Sequence, residues 1–236
     1  QIGKTITSNG SSFNNITFDG AGGWGLVDVL DVNSTLTLDN GTLDTLSAEN
    51  TITVGGSWFK SAGATFTHRS NTVIFDGNTT GKTITSGGSS FGNITFDNAA
   101  GGWELSDVLR VGNTLTLDNG TLDIISDDNT IYVEGDWINN SGTFTSQEGE
   151  VVFDGIVAGK TITPGASAFY HLKINSPNGV GAWTLAAGSS LVVGGDFALI
   201  NGILNANGRP ISFAGSWTKT GGTFTHNNNT VTFNAT

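Results

Sequence analysis

The segment Gly-Lys-Thr-Ile-Thr begins at Gly3, again at Gly81 and again at Gly159, so the chain is a 78-residue unit repeated three times. A unit of this kind cannot bury its apolar face alone, and tandem copies stack into one continuous body. The sequence therefore predicts a single solenoid over residues 1–236, divided into repeat units 3–80, 81–158 and 159–236.

The repeat also runs through the seam between its ends. Phe75 and Phe153 are each separated by five residues from the next Gly-Lys-Thr-Ile-Thr, and reading from Thr236 straight into Gln1 leaves five residues between Phe233 and Gly3. Free-standing solenoids end in atypical capping units, and neither end departs from the pattern here. The expectation is one length of a longer rod, either joined head to tail with copies of itself or continuing a longer tandem array. A head-to-tail contact is heterologous and propagates. The segments flanking the seam are its expected joining surface, with Gln1, Ile2, Lys4 and Ile6 on one side and Val231, Phe233 and Thr236 on the other.

Strands are expected throughout. Gly, Asn, Thr and β-branched residues disfavour helix, and apolar positions alternate with period two. The first unit carries four apolar–x–apolar triplets, at Ile16–Phe18, Leu36–Leu38, Ile52–Val54 and Val73–Phe75, and the other units repeat them. Twelve triplets in 236 residues, about twenty residues apart, predict an all-β parallel β-helix of about twelve coils, four per unit. Flanking triplet residues point inward and the middle one outward. Asn40-Gly41, Asn119-Gly120 and Asn201-Gly202 mark sharp corners needing positive φ. Pro164, Pro177 and Pro210 all fall in the third unit, which is the divergent copy.

The runs Gly159-Lys160-Thr161-Ile162-Thr163, Gly221-Gly222-Thr223-Phe224-Thr225 and Asn229-Thr230-Val231-Thr232-Phe233, with their counterparts in the other units, resemble the right-handed parallel β-helix repeats of large secreted bacterial and archaeal surface proteins. The resemblance covers the whole chain. It implies an extracellular or cell-surface rod, filament or adhesin-like stalk, and it supplies the handedness, which periodicity does not.

Composition narrows the function. A net charge of −11 argues against nucleic acid and anionic membrane surfaces as partners. Cysteine is absent, so disulfides and thiol chemistry drop out. No apolar run approaches the ~20 residues of a spanning helix, so membrane insertion is not expected. Gly81-Lys82-Thr83 has the ending of a phosphate-binding loop, but Asp76 stands where that loop needs glycine and a strand follows in place of a helix. A surface lysine is the expected role for Lys82.

The three histidines, His68, His171 and His226, do not form a cluster in the sequence and read as solvated surface groups. Asp residues sit beside Gly or Asn at corners, as in Asp76-Gly77 and Asp154-Gly155, without the paired carboxylates of a polysaccharide enzyme. No cofactor, metal or enzymatic activity is expected. Thr-x-Thr motifs are too irregularly spaced for an ice-binding face and follow from β-propensity.

Two tryptophans recur per unit: Trp24, Trp103 and Trp183, and Trp58, Trp137 and Trp217. They either plug corners of the coil, which is the favoured reading, or stand exposed and stack on sugar rings. Trp58, Trp137 and Trp217 are the candidates for glycan contact. N-glycosylation sequons include Asn15, Asn33, Asn78, Asn93, Asn139 and Asn228. Partners are thus other copies of the chain, with glycans or other cells as the alternative.

Overall fold

The computed structural model describes residues 2–125 and 129–235. Gln1 and Thr236, both assigned to the joining surface above, lie outside the described residues. The chain winds as an all-β solenoid of 32 short strands, with no helix among the described residues.

Three strands make each turn, and parallel pairing stacks the turns into three faces. The first face starts with Ile2–Ile6 and holds a four-stranded and a seven-stranded sheet, broken between Thr65–Thr67 and Ser90–Phe91. The second is one continuous sheet of eleven strands from Ser12–Phe13 to Thr223–Thr225. The third holds seven strands from Ile16–Phe18 to Thr143–Thr145, then the lone bridge of Phe169 to Val193, then three strands ending at Val231–Phe233. Each face thus has eleven positions, and the solenoid has eleven turns.

The all-β parallel solenoid expected from the sequence is the one that forms, with eleven turns against an expected count of about twelve; a 78-residue unit holds eleven strand positions, three and two-thirds turns, close to the four read from the triplets. Each unit therefore starts one face away from its predecessor. The Gly-Lys-Thr-Ile-Thr strand lies on the first face as Ile2–Ile6, on the third as Lys82–Thr85 and on the second as Lys160–Thr163. The triplets also do not form one unbroken ladder. Leu36–Leu38 pairs with Trp58–Lys60, while Ile52–Val54 lies between Leu30–Val32 and Thr72–Phe75.

The inward alternation holds. Leu36 and Leu38 are fully buried and Thr37 between them is half-exposed. In Thr65–Thr67 the phase reverses, and Phe66 alone points inward. The corner glycines Gly41, Gly120 and Gly202 all have positive φ, at 75°, 75° and 93°. An Asn amide closes the same corner in all three units: Asn50, Asn129 and Asn207 donate Nδ2 to the carbonyls of Leu26, Leu105 and Leu185. These carbonyls would otherwise be unpaired at the point where the chain leaves a strand.

Candidate interface at the ends of the solenoid

The two extremities expose residues whose repeat equivalents are buried inside. On the first turns, Ile6, Phe13, Ile16 and Trp24 are only partly covered. On the last, Trp217, Phe224 and Val231 are likewise partly covered, and Phe233 is 63% exposed. Their counterparts in the middle of the rod, such as Phe75 and Phe153 for Phe233 or Trp103 and Trp183 for Trp24, are fully buried. Lys4 is exposed, as is Phe233 on the opposite end. Parallel strands at both extremities leave backbone groups facing outward along the axis.

The internal unit boundaries show what covers such residues. At the first, Val73 pairs with Ile94 and Phe75 with Phe96; at the second, Val151 pairs with Leu172 and Phe153 with Ile174. On the neighbouring face Trp58 pairs with Ile84, and Trp137 with Ile162. A third ring completes each layer. Phe91 packs on Trp58 and Phe66 with centroids 5.1 and 5.8 Å away, and Phe169 packs on Trp137 and Phe144 at 5.0 and 6.0 Å.

Two indoles reach across the same boundaries. Trp103 donates Nε1–H to Gly56 O at 3.0 Å, and Trp183 donates to Gly135 O at 2.9 Å. Each contact ties together segments two turns apart. Trp24, the first-unit equivalent, is half-buried, and its Nε1 makes no hydrogen bond among the described residues. Lys82 lies over the Trp103 ring with its Nζ 4.4 Å from the centroid and donates to Thr79 O. It is buried, which corrects the expectation of a surface lysine, and burial lowers its pKa. Buried Lys60 likewise crosses the first boundary, donating to Gly87 O at 3.0 Å, and desolvation lowers its pKa against the pull of Asp107.

Charge at the corners is structural. Arg69 grips Asp44 with two hydrogen bonds, at 2.7 and 2.8 Å, which together with a backbone bond from Leu46 hold the Asp44 carboxyl below its ordinary range. The equivalent pairs are Gln147 with Asp123 and Asn227 with Asn205. Asp154 is pushed up, first by burial and then by Glu134. Among the described residues no three His, Cys, Asp or Glu side chains converge as a metal site would require. Among the described residues no helix is long and apolar enough to cross a membrane.

The remaining sequence candidates sort by burial. Trp58 and Trp137 are fully enclosed, so neither presents a ring to a sugar; this corrects their assignment as glycan-contacting residues and agrees with the corner-plug reading. Trp217 is half-buried only because it ends the stack. The Asn139 side chain is buried and donates Nδ2 to Ser167 Oγ at 3.3 Å, so it is closed to glycosylation as the chain is folded. Asn93 is half-buried, with Nδ2 on Ser70 O and Oδ1 on the Thr114 amide. Asn15, Asn33, Asn78 and Asn228 are exposed.

His68 is half-buried beside Phe66, and desolvation lowers its pKa; this departs from the expected solvated group, whereas His226 is exposed. The strand Lys82–Thr85 follows Gly81 directly.

The end residues that sequence reasoning missed are Phe13, Ile16, Trp24, Trp217 and Phe224. A search confined to the terminal segments stops short of them, because an end face of a three-stranded turn spans about twenty residues. Their repetition at both internal boundaries was the available signal. No family model matches the chain, and comparison with the curated proteins and with the solved structures returned no match.

Proposed function

We propose that the chain is an extracellular structural protein, a β-solenoid rod that joins head to tail with the next copy or continues a longer tandem array. The observation that carries this reading is the exposure of Phe13, Trp24, Trp217 and Phe233 at the extremities, set against full burial of their equivalents inside. Apolar strand ends of this kind invite another parallel turn. Extracellular placement rests on the resemblance of the repeats to secreted surface proteins. A stalk whose purpose is glycan binding loses its expected aromatic platforms with the burial of Trp58 and Trp137.

Electron microscopy of the purified chain over a range of concentrations tests the reading. Thin filaments that lengthen with concentration are expected. Monodisperse short particles at every concentration would refute it.

A further inference from the structure

We propose that successive copies join in the register of the internal unit boundaries, so that one copy is carried onto the next by translation along the axis with no rotation between faces. This rests on the head-to-tail reading above and specifies its geometry.

The argument begins with a count. Each unit advances eleven strand positions in a solenoid of three strands per turn, so a unit boundary shifts the pattern by one face. Three units restore the starting face, after eleven whole turns. The last strand, Val231–Phe233, ends on the third face, and the first strand, Ile2–Ile6, begins on the first, as uninterrupted winding demands. The axial repeat is eleven turns of ~4.8 Å, about 53 Å.

Chemistry then fixes the partners. Transferring the two internal boundaries to the ends sets Val231 on Ile16 and Phe233 on Phe18, as Val73 sits on Ile94 and Phe75 on Phe96. Trp217 meets Ile6 as Trp58 meets Ile84. Phe13 enters the layer formed by Trp217 and Phe224, whose rings already stand 5.1 Å apart at 74°, close to the 5.0 Å and 65° of Trp58 and Phe66 around Phe91.

Trp24 completes the joint. Gly215 occupies in the third unit the place of Gly56 and Gly135, so the Trp24 Nε1–H donates to Gly215 O of the preceding copy. Phe233 covers the same indole as Phe75 covers Trp103 at 5.7 Å. Every half-covered apolar group at one end thereby finds its buried counterpart's neighbour at the other. A joint rotated by one face sets Val231–Phe233 on Ile2–Ile6 or on Ser12–Phe13 and takes the Trp24 N–H away from Gly215.

The chain contains no cysteine, so introduced thiols report directly. Thr17 and Thr232 face outward, and in the proposed joint they are parallel neighbours ~4.8 Å apart, within the Cα range that a disulfide spans. A Thr17→Cys/Thr232→Cys chain, oxidised at high concentration, is expected to give a ladder of covalent multimers. Thr5→Cys/Thr232→Cys and Ser12→Cys/Thr232→Cys report the two rotated joints and should stay monomeric. A ladder from either rotated pair in place of the first overturns the register and leaves the filament reading standing. No ladder from any pair, with the unmodified chain monomeric by sedimentation, overturns both.

Trp24→Phe supplies the independent readout. Loss of one buried N–H donor at the joint should weaken association about tenfold. Unchanged association would exclude the contact with Gly215.

Discussion

Trp183 donates its indole N–H to the carbonyl of Gly135, 2.9 Å away and 48 residues earlier in the chain. The bond passes an entire turn of the solenoid to reach the one beneath. Trp137, equally buried, packs edge-on against Phe144 and Phe169, and its Nε1 has no hydrogen-bond partner among the described residues. The two indoles of one unit thus do different things, one acting as a strut and the other as a plug.

Trp183→Phe and Trp137→Phe separate these roles. Both remove similar volume, but only the first leaves a buried carbonyl unpaired, a loss of about 1–3 kcal/mol. Trp183→Phe is therefore expected to lower stability more than Trp137→Phe by at least about 1 kcal/mol. Chemical denaturation measures the difference, and equal losses would show that the bond contributes nothing.

The third unit's divergence has a local explanation at Pro164. In the first two units a carboxylate closes the corner after Gly-Lys-Thr-Ile-Thr. Asp28 accepts the amides of Ser8 and Asn9 at 2.8 and 2.7 Å, and Asp107 accepts those of Ser86 and Gly87, each at 2.7 Å. In the third unit Pro164 replaces the serine and has no N–H to donate, and Ala187 replaces the carboxylate. Donor and acceptor have been lost together. Asp107→Ala should destabilise by about 1–2 kcal/mol, because the Ser86 and Gly87 amides both lose an ionised acceptor. Ala187→Asp, at an exposed site, should give no matching gain while Pro164 remains. A thermal melt of each variant checks the pair.

The architecture was legible where side chains alternate in runs. Triplets such as Leu36-Thr37-Leu38 announce strands and their inward faces, because two flanking apolar residues on one side of the backbone are unambiguous. The remaining strands were illegible for the same reason. Thr65-Phe66-Thr67 buries only its middle residue, and Ser90-Phe91 is two residues long. The triplets mark only four of the eleven strands in each unit, which gives the number of turns closely but not the one-face rotation between units. The indole–carbonyl contacts were also out of reach, since nothing local in Gly-Ser-Trp or Gly-Gly-Trp reveals that Trp103 and Trp183 reach the glycines ahead of Trp58 and Trp137, two turns away.

The Arg69–Asp44 pair predicts a pH dependence. The folded-state pKa of Asp44 lies below its ordinary value of 3.8, with the Arg69 hydrogen bond as the main cause. A depressed carboxylate contributes stability that is fully present above the unfolded pKa and lost as pH falls through the folded one. Arg69→Gln reproduces the pairing already present at Gln147, which has the same φ of 44° as Arg69, so the backbone is not strained by the change. The variant should be modestly less stable near neutrality, since Arg69 is half-exposed and the pair is partly screened. The deficit should shrink as pH drops below about 4. A constant difference from pH 7 to pH 2 would assign the loss to packing instead of charge.

Phe153 and Phe233 occupy the same place in consecutive units, one enclosed and one 63% exposed. Their substitution by alanine therefore reads the environment of the end directly. Phe153→Ala opens a cavity beside Trp183 and should cost about 3–5 kcal/mol. Phe233→Ala removes a side chain that mainly faces solvent in a single copy, and in dilute solution it should change stability by less than about 0.5 kcal/mol. At high concentration the order changes in kind: Phe233→Ala should abolish or sharply reduce end-to-end growth, because in the proposed joint this ring would take the buried position that Phe153 holds inside. Light scattering against concentration, run beside denaturation of dilute protein, separates the two effects. If Phe233→Ala lowers dilute stability as much as Phe153→Ala does, the ring already packs within its own chain, and the end is not an open half of an aromatic layer.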